Sequence, residues 1–188
     1  MGEQMSTEVR DRISIALRFH QAGRLDDAEA LYTEILGEYP DNTDTLNLLG
    51  LLNIQINKFE NAISYLKKAV EINPCAYFYG GLGRAYLESD NFEEAIDCYK
   101  KSLDLNPDDF DAWFNLGLAY KKSKQIDNSI NAYQKALSIK PNHPSVYFNL
   151  GNLYEGINDT NKKVFDTIAF ISDRFLINFN ANKICILS

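Results

Sequence analysis

The sequence predicts an all-α fold, a right-handed α-solenoid of stacked helix-turn-helix hairpins, and three recurring features predict it. Prolines fall at Pro40, Pro74, Pro107 and Pro141, at spacings of 34, 33 and 34 residues. A Leu-Gly pair follows each of them, at Leu49-Gly50, Leu82-Gly83, Leu116-Gly117 and Leu150-Gly151. Beyond the first three glycines come, in phase, Ala62, Ala95 and Ser129, then Leu66, Tyr99 and Tyr133, then Ala69, Ser102 and Ala136. A fixed period of this length marks an array in which each repeat is one supersecondary unit.

Elementary helix geometry explains the pattern. Apolar residues at i, i+3, i+4 and i+7 make one stripe along a helix, and proline stops the second helix of each pair. Glycine on one helix facing a small residue on its partner lets the two axes approach closely. A single hairpin cannot bury its own apolar face, so successive hairpins must stack.

The first unit, residues 9–42, is the most degenerate: Ile15, Ala16, Phe19, Ala28, Tyr32 and Ile35 hold the register, and Ala16 stands where later units have glycine. Its turn lies in Gln21-Ala22-Gly23-Arg24. The second unit spans 43–75 and the third 76–109, where the interval from Pro74 to Gly83 is one residue short and Gly80-Gly81 precede the Leu-Gly pair. Glycine inside a helix costs roughly 0.5–1 kcal/mol relative to alanine, so the third unit is expected to be locally looser. The fourth unit covers 110–143, a fifth begins over 144–156, and residues 1–8 are read as an N-terminal extension.

After Gly156 the register fails, with Lys163 where alanine and Thr167 where an aromatic residue is expected. Residues 157–188 are read as an atypical C-terminal capping helix and tail. Val164, Ile168, Ile171 and Phe175 carry an amphipathic helix over 160–178 that would cover the end of the stack. A truncated or altered reading frame is the alternative for this tail. An uncovered repeat end would leave self-association through the C-terminal end open.

Composition excludes several classes of function. Nineteen Lys plus Arg against 26 Asp plus Glu give a net charge of −7, which opposes the phosphate neutralisation behind most nucleic-acid affinity. No apolar run approaches the roughly 20 residues of a transmembrane segment. Cys75, Cys98 and Cys185 are too far apart to encode a zinc site or a disulfide framework, and no secretory signal is visible, so a reducing cytoplasmic location is expected. Cys98 reads as a small packed residue and Cys75 as a turn residue. Met1-Gly2 with Ser6 matches a myristoylation template and Cys185-Ile186-Leu187-Ser188 a prenylation box, but Glu3 directly follows the glycine, only Lys183 supplies nearby positive charge, and matches this short arise by chance.

No catalytic constellation is visible. The two histidines, His20 and His143, lie on different units and are expected at the surface. Asp26-Asp27, Glu93-Glu94 and Asp108-Asp109 fall at helix starts, where negative charge suits the helix dipole. Tyr79-Gly80-Gly81-Leu82-Gly83 is not followed by the Lys and Ser/Thr of a phosphate loop and sits inside a helix by register. No cofactor or metal is expected.

The phased residues resemble the tetratricopeptide repeat (TPR) family, whose pattern runs W-x2-L-G-x2-Y, A-x3-F, A and P. Trp113, Leu116, Gly117 and Tyr120, followed by Tyr133, Ala136 and Pro141, match it best, and the resemblance covers about four-fifths of the chain. It implies a non-catalytic protein-protein interaction scaffold whose first helices line a concave groove for a peptide or partner helix. Carried onto this chain, the groove positions are Phe114, Asn115 and Leu118 in the fourth unit and Phe148, Asn149 and Asn152 in the fifth, with Tyr77 and Arg84 as contacts in the third. Asn115 and Asn149 form a short ladder similar to that of O-GlcNAc transferase repeats, while units two and three carry Leu48 and Gly81 there. Solvated asparagines are the other reading of that pair. The chaperone-tail subtype uses Lys and Asn where this chain has Ile13 and Leu17, and the clamp's basic set is missing. The alternative function is the substrate-recruiting region of a larger enzyme such as a glycosyltransferase.

Overall fold

The computed structural model describes residues 2–156, 177–180 and 183–186. Nine helices are described: α1 Gly2–Gln21, α2 Leu25–Glu38, α3 Thr43–Gln55, α4 Phe59–Ile72, α5 Ala76–Glu88, α6 Phe92–Leu105, α7 Phe110–Lys122, α8 Ile126–Ile139 and α9 Pro144–Gly156. They pack as four antiparallel hairpins, α1/α2 to α7/α8, with α9 against α8. This is the all-α helical repeat expected from the period. The residues expected as an extension at 2–8 continue α1, since no breaker precedes Val9.

Each intra-hairpin turn uses one residue with positive φ: Gly23 at 74°, Asn57 at 59°, Asp90 at 59° and Lys124 at 63°. These positions recur with the repeat. The left-handed conformation they adopt suits glycine, asparagine and aspartate and strains lysine. Helix starts are capped unevenly. The Asn42 side chain accepts from the Thr45 amide at 2.9 Å, and Asp109 Oδ1 accepts from the Asp111 and Ala112 amides at 2.9 and 3.1 Å. At α5 the capping position falls to Cys75, which makes no side-chain cap. The residue missing from the third unit is therefore lost from the connection before α5, and the cap is lost with it.

The core consists of the residues that carry the repeat. Ala28, Tyr32, Ala62, Leu66, Ala95, Tyr99, Tyr133 and Ala136 are all at most 1% exposed. A side chain such as Leu66, fully buried, contributes on the order of 2 kcal/mol of apolar transfer free energy. A Cβ on Gly50 would meet Leu66 Cγ at 2.5 Å, and one on Gly83 would meet Tyr99 Cε1 at 3.0 Å. Close approach of the first helix to the second thus depends on hydrogen at these positions.

At the C-terminal end, β1 Ile177–Asn180 and β2 Lys183–Ile186 form an antiparallel pair that matches Ile177 with Ile186 and Phe179 with Ile184. The capping helix expected over 160–178 is corrected at its last two residues, which belong to β1. The period-two alternation of Ile177, Asn178, Phe179 and Asn180 suits a strand. Residues 160–176 of that expected helix lie outside the described residues. No helix among the described residues is long and apolar enough to cross a membrane.

Candidate partner-binding groove

The first helices of successive hairpins approach one another directly, α1 to α3, α3 to α5 and α5 to α7. That row forms the inner face of the stack. On it lies a pocket of about 300 Å³ bounded by α3, α5 and α7. Tyr77 and Arg84 from α5 and Asn115 from α7 line it together, although 38 positions separate the first and last in sequence. Asn47, Leu51, Tyr99, Asp109 and Asp111 complete much of the wall. Tyr77 is 64% exposed and Arg84 is exposed, so both reach outward from the rim.

The fifth-unit positions are arranged differently. Asn149 is 9% exposed; its Nδ2 donates to the Ser145 carbonyl at 2.9 Å, and its Oδ1 accepts from Lys121 Nζ at 2.8 Å. Asn115 therefore opens on the pocket, while Asn149 is already engaged on both sides of its amide. Phe148 is 50% exposed on the same helix, and Asn152 is half-buried. Phe114 is packed into an aromatic cluster, 6.1 Å from Phe110 in a stacked arrangement and 5.9 Å from Tyr133. Leu118 is half-buried and packs against both the core shared by units three and four and the core shared by units four and five.

Sequence reasoning missed three contributors. Asn47 is 1% exposed and precedes Leu49-Gly50 by two positions, where the fourth unit has Phe114; a polar residue at an otherwise apolar register position was the available signal. Tyr99 reaches the pocket from α6, and its role as core ring gave no hint of this. Lys121 binds Asn149 across the boundary between units. A second pocket of about 350 Å³, framed by Lys100, Trp113, Tyr120 and Lys135, lies among α6, α7 and α8 and depends on packing between successive units.

The histidines are not free surface groups. His143 lies 4.6 Å from the Phe110 ring and 5.9 Å from that of Phe114, because the Pro141–Pro144 turn folds over the start of α7. His20 Nε2 is 2.9 Å from Gln55 Oε1. Burial pushes the Cys98 thiol up to about 11, so it stays protonated at neutral pH and is a poor nucleophile. Among the described residues, no group of three or more His, Cys, Asp or Glu could hold a metal ion.

An array of helical hairpins with a pocketed inner face defines a helical-repeat interaction protein. Residues 19–80 match a tetratricopeptide repeat family model, and residues 83–124 and 120–157 match a second TPR repeat model. Two solved structures of MamA are similar, one 32% identical with 85% of this chain and 95% of that chain covered at a TM-score of 0.75, the other 30% identical with 96% and 100% covered at 0.77. YrrB, described as a TPR protein with an unusual peptide-binding site, matches at 17% identity and a TM-score of 0.72, covering 88% of this chain and 87% of that one, a likeness of fold. A CTR9 homolog from Arabidopsis thaliana is 35% identical over 68 residues, and this chain spans 6% of its length. The chain belongs to the tetratricopeptide repeat family. Its repeats support a general role as a protein-interaction scaffold.

Proposed function

We infer that this protein is a non-catalytic adaptor that holds an extended peptide segment of a partner on the inner face of the array. The observation that carries the reading is the convergence of Tyr77, Arg84 and Asn115, from two successive first helices, on one pocket. Asn115 offers both a donor and an acceptor to a peptide backbone, Arg84 offers a charged donor, and the exposed rings of Tyr77 and Phe148 offer apolar anchors. Aromatic and arginine side chains in such positions dominate binding energy at protein interfaces. The partial Asn ladder, similar to O-GlcNAc transferase repeats, is reduced in this reading to Asn115, with Asn149 as a buttress for Lys121.

The test is capture of partners from native-host lysate by wild-type protein and by an Arg84→Ala/Asn115→Ala variant of equal melting temperature. Binding through the groove predicts a partner retained by the wild type and lost with the variant. Partners retained equally by both place binding on another surface and overturn the reading.

A further inference from the structure

The pocket among α6, α7 and α8 is walled by second helices and so belongs to the outer side of the stack. Lys100 and Asp104 stand on α6, and Asn128, Asn131 and Lys135 on α8, all of them exposed. The floor comes from α7, where Trp113 is half-buried beside the buried Tyr120. Trp113 Nε1 donates to the Pro107 carbonyl at 2.8 Å, which orients the indole and satisfies its one polar atom. An aromatic surface thus lies at the bottom of a site of about 350 Å³, room for one large side chain, under a solvent-exposed polar rim.

The repeat supplies an internal control. One unit earlier, 33 or 34 positions back, the same register gives Tyr79 and Tyr86 on α5, Lys67 and Glu71 on α4, and Glu94, Asp97 and Lys101 on α6. The charges of Lys67, Glu94, Asp97 and Lys101 all act on the Cys98 thiol, the counterpart of Ala132, so these groups gather in one groove. There Lys101 Nζ lies 5.7 Å from the centre of the Tyr79 ring and Lys67 Nζ 5.6 Å from that of Tyr86. Both floor rings are covered by the protein's own cations, and carboxylates outnumber ammonium groups.

The later groove differs on both counts. Asn128 replaces Glu94 and Asn131 replaces Asp97, so two acidic groups are lost at matched positions. Lys100 stays over the Tyr120 ring at 5.9 Å, but Lys135, unlike Lys101, covers no ring and has no ion pair among the described residues. The face of Trp113 is left open, and Lys100 and Lys135 stand against a single carboxylate, Asp104. A locally positive, aromatic-floored site results on a chain whose net charge is −7.

We propose that this groove is a second docking site, taking an aromatic side chain flanked by carboxylates from an acidic segment of a partner protein. The ring stacks on Trp113, and the flanking carboxylates pair with Lys100 and Lys135. Asn128 and Asn131 offer donors and acceptors to the backbone of the segment. A basic segment would meet two like charges, and an aliphatic one would forgo the stacking. An aromatic anchor in a pocket ringed by polar groups is the arrangement that concentrates binding energy at protein interfaces. The site lies on a different face from Tyr77, Arg84 and Asn115, so it goes beyond the groove reading and does not depend on it.

Trp113 is the single tryptophan of the chain, so its indole N–H signal in NMR reports this groove directly. The full chain is titrated with the blocked tripeptide N-acetyl-Asp-Phe-Glu-amide and with three relatives: Lys at both flanks, Gln at both flanks, and Ala in place of Phe. The acidic Phe probe is expected to saturate the Trp113 signal with a dissociation constant on the order of 1 mM. The Gln-flanked and Ala forms are expected to bind roughly fivefold more weakly, and the Lys-flanked form more weakly still. Lys100→Gln/Lys135→Gln is expected to remove the preference for acidic flanks, and Asn128→Glu/Asn131→Asp, which restores the charges of the earlier groove, to abolish binding of the acidic probe. Asp104→Asn is expected to tighten it. These five positions are exposed, so the melting temperatures of the variants should match that of the wild type. Absence of saturable binding by the acidic Phe probe, equal binding of the Lys-flanked or Ala form, or an acidic preference that survives Lys100→Gln/Lys135→Gln each overturn the proposal. Partner capture with Arg84→Ala/Asn115→Ala judges the inner groove separately.

Discussion

Gly117 and Tyr133 touch so closely that a methyl group on the glycine would stand 2.6 Å from the ring's Cε1 and 2.7 Å from its Cδ1. Fifteen other positions separate them in the chain, and the contact is repeated by Gly50 with Leu66 and Gly83 with Tyr99. Tyr133 is wholly buried in a close-packed core, so the ring has little room to move aside.

Gly117→Ala is therefore expected to destabilise the protein by about 1–3 kcal/mol through overpacking, although alanine is the better helix former. Gly37 lies in α2 with nothing within 4 Å of an added Cβ. Gly37→Ala is expected to stabilise by roughly 0.5–1 kcal/mol. Opposite signs in urea denaturation check the pair; the same sign for both contradicts the packing account.

The uncapped start of α5 gives a second expectation. Cys75 has φ −132° and ψ 159°, the extended conformation a capping residue adopts, yet its side chain makes no cap. Serine is nearly isosteric and accepts from a free helix amide. Cys75→Ser is expected to raise stability by about 0.5–1 kcal/mol, measured as a shift in denaturation midpoint at unchanged slope.

A third expectation concerns acid. Arg12 donates to Glu38 Oε1 and Oε2 at 2.9 and 3.0 Å and to Glu34 Oε1 at 3.0 Å, tying α1 to the end of α2. The hydrogen bond from Arg12 holds the Glu38 carboxyl below its ordinary value of 4.5, and the bond to Glu38 raises Arg12. A carboxylate depressed in the folded state stabilises above its unfolded value and loses that contribution as pH falls through the folded one. Wild type is expected to melt above Arg12→Gln near neutral pH, with the gap closing toward about pH 3. Both carboxylates are exposed, so the gap is small and shrinks in salt. A gap that persists in acid contradicts the ion-pair origin.

Much of the fold was legible because its determinants are local and periodic. Pro74 and Pro107, Gly50 and Gly117, and Tyr99 and Tyr133 recur in phase because every unit solves the same packing problem. The β1/β2 pair was not legible, since the alternation around Ile177 is short and follows an apolar spacing of helical type. In the groove, Tyr77, Arg84 and Asn115 were reachable by register, whereas Phe114 was claimed by the His143 and Phe110 rings.

The sequence by itself determined the repeat, the helix boundaries set by proline and the glycine contacts within each hairpin, since those interactions span one period or less. Tertiary structure alone decided which polar groups meet across periods. Asn47 meets Gly81 and Tyr99 lines the same pocket because α3, α5 and α6 stack, and Lys121 engages Asn149 because α7 and α9 belong to neighbouring units. Such contacts depend on the rotation between hairpins, a quantity that no single unit's pattern encodes.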